Sequence, residues 1–173
     1  ACRVFGSNER AGRMAQKAQE GNPVAAQLPL VSALQNPAVY EHAVTDLQLL
    51  ETHISWVILT GEYVYKIKKA VNFGFLDYST LEKRSFYCQE ELRLNRRFAP
   101  QLYLDVVAIG GTVERPSLQA GGEPIEYAVR MRQFPQSGLL SALAASNALT
   151  PETIDALARL VSAMHAAVER AEQ

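Results

Sequence analysis

A lysine pair and a glutamate are the residues of this sequence with the clearest chemical use. Lys66 and Lys68 lie in the alternating run Tyr63–Lys68, so both fall on one face of a predicted strand. Glu91 follows in a predicted helix, on the arc that carries that helix's apolar residues. A carboxylate on the apolar side of a helix is costly unless it is paired. We therefore expect Glu91 to face a lysine of the strand.

The neighbouring acid, Glu90, provides a contrast. Successive residues of a helix are turned by roughly 100°, which places Glu90 on the solvent face when Glu91 points inward. The pattern alone leaves open whether the inward pair is a structural salt bridge or part of an active site. It also leaves open which of Lys66 and Lys68 is the partner.

Motifs of several common enzyme classes are absent. The sequence has no GxxxxGK[ST] loop, no GxGxxG after a strand and no GxSxG elbow, which excludes a P-loop site, a dinucleotide fingerprint and an α/β-hydrolase. The three histidines have no further His or Cys at zinc-ligand spacing, so no metal site is predicted.

The elements that must position the lysines and Glu91 follow the order β-β-β-α-β-β-α, which is an α+β pattern. A short helix after Pro29 precedes them. The predicted strands span residues 47–51, 55–60, 63–68, 102–109 and 125–132. The predicted helices span 79–98, with Ser79 and Glu82 as a capping box, 138–145, and 151–169 after the cap Thr150.

Length and composition indicate either one ordinary domain or a compact domain with a tail. The 173 residues carry a formal net charge of -1, which gives no general electrostatic case for nucleic acid as a partner. No apolar run approaches the ~18 residues that cross a bilayer, so no membrane partner is expected. Two cysteines without a CxxC pair favour a reducing, cytoplasmic location. Residues 1–28 are predicted to be a flexible arm, with one marginal helix over 8–20.

Four runs of the sequence together resemble a known family. They are ETHISWV from Glu51, YKIKK from Tyr65, NFGFLDYSTLEKR from Asn72 and ELRLNRRFAP from Glu91. These runs resemble the aminoglycoside phosphotransferase-like proteins, in particular the branch fused to a C-terminal P-loop ATP-binding domain. The resemblance covers about residues 29–168. It implies a protein-kinase-like N-lobe over 29–131, with about five mainly antiparallel strands and one packed helix, and a hinge and the start of a helical C-lobe over 132–173.

The resemblance also implies roles for the lysine and the glutamate. Lys66 resembles the lysine that contacts the α- and β-phosphates of ATP, with Lys68 as the rival candidate. Glu91 resembles the helix carboxylate that orients this lysine. ATP is therefore the expected cofactor.

Two further segments complete the implied nucleotide site. Thr52 and Ser55 lie in the turn that would cover the phosphates through hydroxyls and backbone N–H groups, since this turn has no glycine. Met131, Arg132 and Phe134 lie where the last strand meets the hinge, whose backbone would bind the adenine edge.

The family's catalytic loop, His-x-Asp with a downstream Asn, does not occur in this sequence. No catalytic residue is therefore assigned, and Mg²⁺ is expected only with a C-lobe that the sequence does not contain. The expectation is the ATP-binding half of a small-molecule kinase, inactive as a fragment and with an unidentified acceptor. The alternatives are a non-enzymatic binding or regulatory module and a degenerate gene product. Self-association is expected through the last helix, whose apolar stripe contains Leu157, Leu160, Val161 and Met164.

Overall fold

The computed structural model describes residues 22–119 and 121–167, in two compact units that divide after Gln133. The predicted helix over 8–20 and the last two residues of the predicted final helix lie outside the described residues. Among the described residues, no helix is both long and apolar enough to cross a membrane.

The first unit is built on a fully antiparallel sheet in an α+β arrangement. Its six strands among the described residues have the spatial order β1-β2-β3-β6-β4-β5. They are β1 (Gln48–Glu51), β2 (Ser55–Leu59), β3 (Tyr63–Lys68), β4 (Tyr103–Gly111), β5 (Pro116–Ser117) and β6 (Glu126–Arg132). The five predicted strands are present, and the sixth, β5, is a two-residue strand in the region predicted to be a turn.

Helix α1 (Pro23–Ala33) begins six residues before Pro29, inside the segment predicted to be a flexible arm. The Asn22 side chain caps it by accepting a hydrogen bond from the Val24 amide, and Pro23 occupies the first turn, where no amide is needed. Its apolar face packs on the sheet to form the core. The buried members of that core are Leu30, Val31, Leu34, Tyr40, Trp56, Ile58, Tyr65, Ile67, Ile109 and Ala128.

Helix α2 (Leu81–Arg96) packs against β6 and β4. The predicted cap at Ser79 is wrong by one residue, because the Thr80 hydroxyl accepts the hydrogen bond from the Lys83 amide. Ser79 instead donates its hydroxyl hydrogen to Asp77 at 2.6 Å. The Ser79 hydroxyl is thus bonded to Asp77, two residues upstream, and the next hydroxyl, that of Thr80, caps the helix.

As far as residue 167, where the described part of the second unit ends, this unit contains a 3₁₀ turn at Gln136–Gly138 and two helices, α3 (Leu140–Ala145) and α4 (Pro151–Ala167). As predicted, Thr150 caps α4, with its hydroxyl oxygen 3.3 Å from the Thr153 amide. The α4 side chains of Ile154, Leu160 and Val161 are exposed.

Candidate functional site

Glu91 joins the two lysines of β3. One carboxylate oxygen lies 2.8 Å from Lys66 Nζ, and the other lies 2.7 Å from Lys68 Nζ. The predicted contact between Lys66 and Glu91 is therefore confirmed. The sequence left open which of the two lysines pairs with Glu91, and in the structure both do. The alternation of β3 brings both ammonium groups to one face, where a single carboxylate reaches them.

The inward stripe of α2 explains why Glu91 faces the sheet. Arg84, Cys88 and Glu91 follow one another at spacings of four and three residues, so they lie on one side of the helix. Arg84 and Cys88 are buried, and only 13% of the Glu91 side chain is exposed. Glu90 lies on another side, where both its oxygens accept hydrogen bonds from Arg93. The sequence-based separation of the two acids is confirmed.

The charges at this site are stabilised by pairing. Burial alone would raise the pKa of Glu91, but the hydrogen bonds and charges of Lys66 and Lys68 outweigh it and lower that pKa below its ordinary value. Burial likewise opposes the ammonium of Lys68, and the hydrogen bond and charge of Glu91 raise the pKa of Lys68 instead. The Tyr78 ring lies 4.8 Å from Lys68 Nζ and adds a cation–π contact. Both partners are thus ionised at neutral pH.

The polar groups of the turn before β2 form hydrogen bonds within the turn. Thr52 Oγ1 accepts from the Ser55 amide at 2.9 Å, and the Thr52 amide donates to the Ser55 carbonyl at 2.9 Å. Ser55 is the cross-strand neighbour of Lys68, which places this turn beside the lysines. Among the described residues, the buried Ser55 hydroxyl has no hydrogen-bond partner. Of the two hydroxyls predicted to contact phosphate, that of Thr52 is hydrogen-bonded within the turn, and that of Ser55 has no hydrogen-bond partner among the described residues.

The three residues predicted to form the hinge, Met131, Arg132 and Phe134, do not lie together on one face of the sheet. Met131 pairs with Val64 across the strands and shares the face of Lys66, whereas Arg132 stacks on Tyr63, on the opposite face. The Arg132 amide donates to the Leu102 carbonyl. Phe134 belongs to the second unit. The structure therefore brings Met131, and not the Arg132 side chain, to the side of the sheet that carries the lysines.

A buried polar network next to this site was missed by the sequence reasoning. Glu126, the first residue of β6, accepts hydrogen bonds from Arg84 Nε at 2.9 and 3.0 Å and from Gln27 Nε2 at 2.8 Å. Gln27 also donates to the Lys68 carbonyl and accepts from the Ala70 amide. An acid at the start of an apolar strand was the available signal. Its partners lie 42 and 99 residues away, so no local pattern identifies them.

In the described part of the chain, no three His, Cys, Asp or Glu side chains are grouped so that they could hold a metal ion. What the arrangement can do chemically is bind an anion. Lys66 keeps 29% of its side chain exposed and can present an ammonium to a negatively charged ligand.

Comparison with known proteins finds relatives among mycobacteria. The chain is 31% identical over 132 residues to uncharacterized proteins of Mycobacterium bovis and of two Mycobacterium tuberculosis strains, CDC 1551 and H37Rv. The match covers 75% of this chain and 25% of each relative, so the chain spans about a quarter of their length. No family model and no solved structure matches it. This chain is therefore similar to one part of longer mycobacterial proteins.

Proposed function

We propose that this chain forms the ATP-binding half of a kinase-like phosphotransferase, with Lys66 as the residue that contacts the nucleotide phosphates. The observation that carries the proposal is the ion pair between Lys66 on the third strand and Glu91 on the helix packed against the sheet. A lysine held in this way can offset phosphate charge and fix the triphosphate in one position. The sequence resemblance to aminoglycoside phosphotransferase-like proteins supports the same role.

The neighbouring residues have definite tasks in this proposal. The Ser55 hydroxyl, which is buried and has no hydrogen-bond partner among the described residues, lies beside Lys68 on the adjacent strand, and the proposal assigns it to donate to a phosphate oxygen. Met131, on the lysine face of β6, lines the adenine side of the site. The Thr52 hydroxyl contributes indirectly, because it closes the turn that fixes Ser55.

Phosphoryl transfer by the whole protein is part of the proposal, and the acceptor is a small molecule of unassigned class. The catalytic loop and the Mg²⁺ ligands would be supplied by a C-lobe outside this sequence. We place the protein in the cytoplasm, where ATP is available.

Calorimetric titration of the 173-residue chain with ATP tests the proposal. Lys66→Met should weaken ATP binding by ~1–3 kcal/mol, the scale of a hydrogen bond to a charged group, and should leave adenosine binding unchanged. Lys83→Met is the matched control, because Lys83 also pairs with a carboxylate, that of Asp77, but on the exposed side of α2. Glu90→Gln is a second control, at the acidic residue next to Glu91 that pairs with Arg93 and not with the lysines.

Three results would contradict the proposal. They are no ATP binding by the wild-type chain, equal losses from Lys66→Met and Lys83→Met, and a loss from Lys66→Met that is the same for adenosine as for ATP. The last result would show a general disturbance of the fold and no phosphate contact. Binding without phosphate transfer is the expected behaviour of this chain, because it contains no His-x-Asp motif.

A further inference from the structure

A cleft of about 260 Å³ lies beside the buried pair of Arg84 and Glu126. Its lining combines these two residues and Gln27 with apolar residues, which include Ala26, Leu30, Val113 and Ile125. We propose that this cleft binds a small neutral molecule with a carbonyl group and an apolar body, and that Arg84 Nη2 donates to the carbonyl oxygen. Binding at this cleft does not depend on the proposed function.

One nitrogen of Arg84 has hydrogen-bond donors left for a ligand. Nε donates to both oxygens of Glu126, and Nη1 donates to the carbonyls of Tyr78 and Ser79. Nη2 donates to no residue that the structure describes. Only 10% of the Arg84 side chain is exposed, yet Nη2 is not sealed in the core. An acceptor in the cleft would therefore complete the hydrogen bonding of a largely buried guanidinium.

The hydrogen bonds already made by Gln27 and Glu126 determine which charge the ligand can carry. Gln27 Nε2 donates to the Lys68 carbonyl and to Glu126, and the Gln27 amide oxygen accepts from the Ala70 amide. Glu126 balances the charge of Arg84. An anionic ligand would place a second negative charge beside Glu126, and a cationic ligand would place a second positive charge beside Arg84. A donor nitrogen beside a balanced ion pair therefore favours a neutral acceptor, which a carbonyl group provides.

The volume and the apolar residues determine the body of the ligand. An apolar cavity of about 150 Å³ accommodates benzene, so this cleft has room for one ring that carries a carbonyl substituent. Val113 and Ile125 are only partly buried where they pack against the core, and an apolar ring would cover them. Benzamide, a single ring with a neutral amide, is a probe of this size and chemistry.

Titration of the 173-residue chain with benzamide, followed by proton–nitrogen NMR, tests the site. Benzamide should give saturable shifts of the Arg84 Nε–H signal and of the amides that line the cleft. Benzoate and benzylamine have the same ring and should bind about tenfold more weakly, because each buries a further charge beside the ion pair. Arg84→Lys keeps a positive partner for Glu126 but lacks Nη2. It should weaken benzamide binding about tenfold, the scale of a lost hydrogen bond to a charged group.

A second pair of variants locates the binding without altering the Arg84–Glu126 pair. Ala26→Phe places a ring in the cleft from an exposed position of α1 and should abolish benzamide binding. Ser32→Phe is the matched control, at an exposed position of the same helix outside the cleft, and should leave binding unchanged.

The proposal is overturned if benzamide gives no saturable shift, if benzoate or benzylamine binds as well as benzamide, or if Ala26→Phe and Ser32→Phe have equal effects. Unchanged benzamide affinity in folded Arg84→Lys would overturn the role of Nη2. If Arg84→Lys does not fold, the two phenylalanine variants and the charged probes decide, since none of them changes Arg84.

Discussion

Removing Arg84 should destabilise the protein far more than its single side chain suggests. The Arg84 guanidinium donates to both oxygens of Glu126 and also to the Tyr78 carbonyl at 3.2 Å. Glu126 is fully buried, with 1% of its side chain exposed. Arg84→Met would keep most of the apolar volume and leave that carboxylate without a positive partner. The perturbation therefore isolates the cost of an unpaired buried charge.

The expected loss of unfolding free energy in Arg84→Met depends on the hydrogen bonds that Glu126 retains. Breaking a buried ion pair by removing one partner costs about 3–5 kcal/mol. Glu126 would keep hydrogen bonds from Gln27 Nε2 at 2.8 Å and from the Tyr127 amide at 3.0 Å, which offset part of the loss. We therefore expect the lower end, ~3 kcal/mol, which is a fall in Tm of roughly 6–12 °C for a chain of this size.

Arg93→Met is the control, read by urea unfolding and thermal melts followed by circular dichroism. Arg93 lies on the same helix and makes two hydrogen bonds to one carboxylate, as Arg84 does, but its pair with Glu90 is exposed. Arg93→Met should leave stability nearly unchanged. Glu126→Gln, added to Arg84→Met, should restore part of the loss, because it removes the unpaired charge. Similar losses from Arg84→Met and Arg93→Met would refute the reasoning that burial sets the cost.

Two further predictions concern Glu91 and the start of α2. The lowered pKa of Glu91 means that its share of stability is present above its ordinary value of 4.5 and is lost as pH falls below it. Glu91→Gln should therefore flatten the acid side of the stability profile measured by urea unfolding, and an unchanged acid limb would contradict this. Thr80→Ala should cost ~1 kcal/mol of unfolding free energy and Ser79→Ala less, because Thr80 is the cap. The reverse order in the same assay would place the cap at Ser79.

The lysine and glutamate pair was predictable from sequence because two local periodicities define it. Alternation along β3 places Lys66 and Lys68 on one face, and the 3.6-residue period of α2 separates Glu91 from Glu90. Neither inference needs long-range information. The remaining requirement, that helix and strand meet, follows from the cost of leaving the inward carboxylate unpaired. The α+β class and the five main strands were predictable on the same basis.

Other features depended on contacts that no local window contains. Helix α1 was predicted to start at Pro29, because the segment before it is poor in large aliphatic residues. In the structure this segment is held by Gln27, whose polar side chain is buried through bonds to β3 and β6. The roles of Arg84 and Glu126 are equally non-local. A buried polar residue with distant partners looks, in sequence, like an exposed one.

These contacts connect the candidate site to the packing of the whole first unit. Glu91 holds Lys68, the Lys68 carbonyl is held by Gln27, Gln27 bonds Glu126, and Glu126 bonds Arg84 on the helix that carries Glu91. The chain of contacts closes on itself through two turns of α2, about 10 Å of helix. The inward stripe of α2 is thereby bound to the sheet at two points. Glu91 of the helix pairs with the lysines of β3, and Arg84 of the helix pairs with Glu126 of β6. A rotation of α2 that withdrew Glu91 from Lys66 would also move Arg84 relative to Glu126, so the buried Arg84–Glu126 pair favours the helix orientation on which the proposed phosphate contact depends.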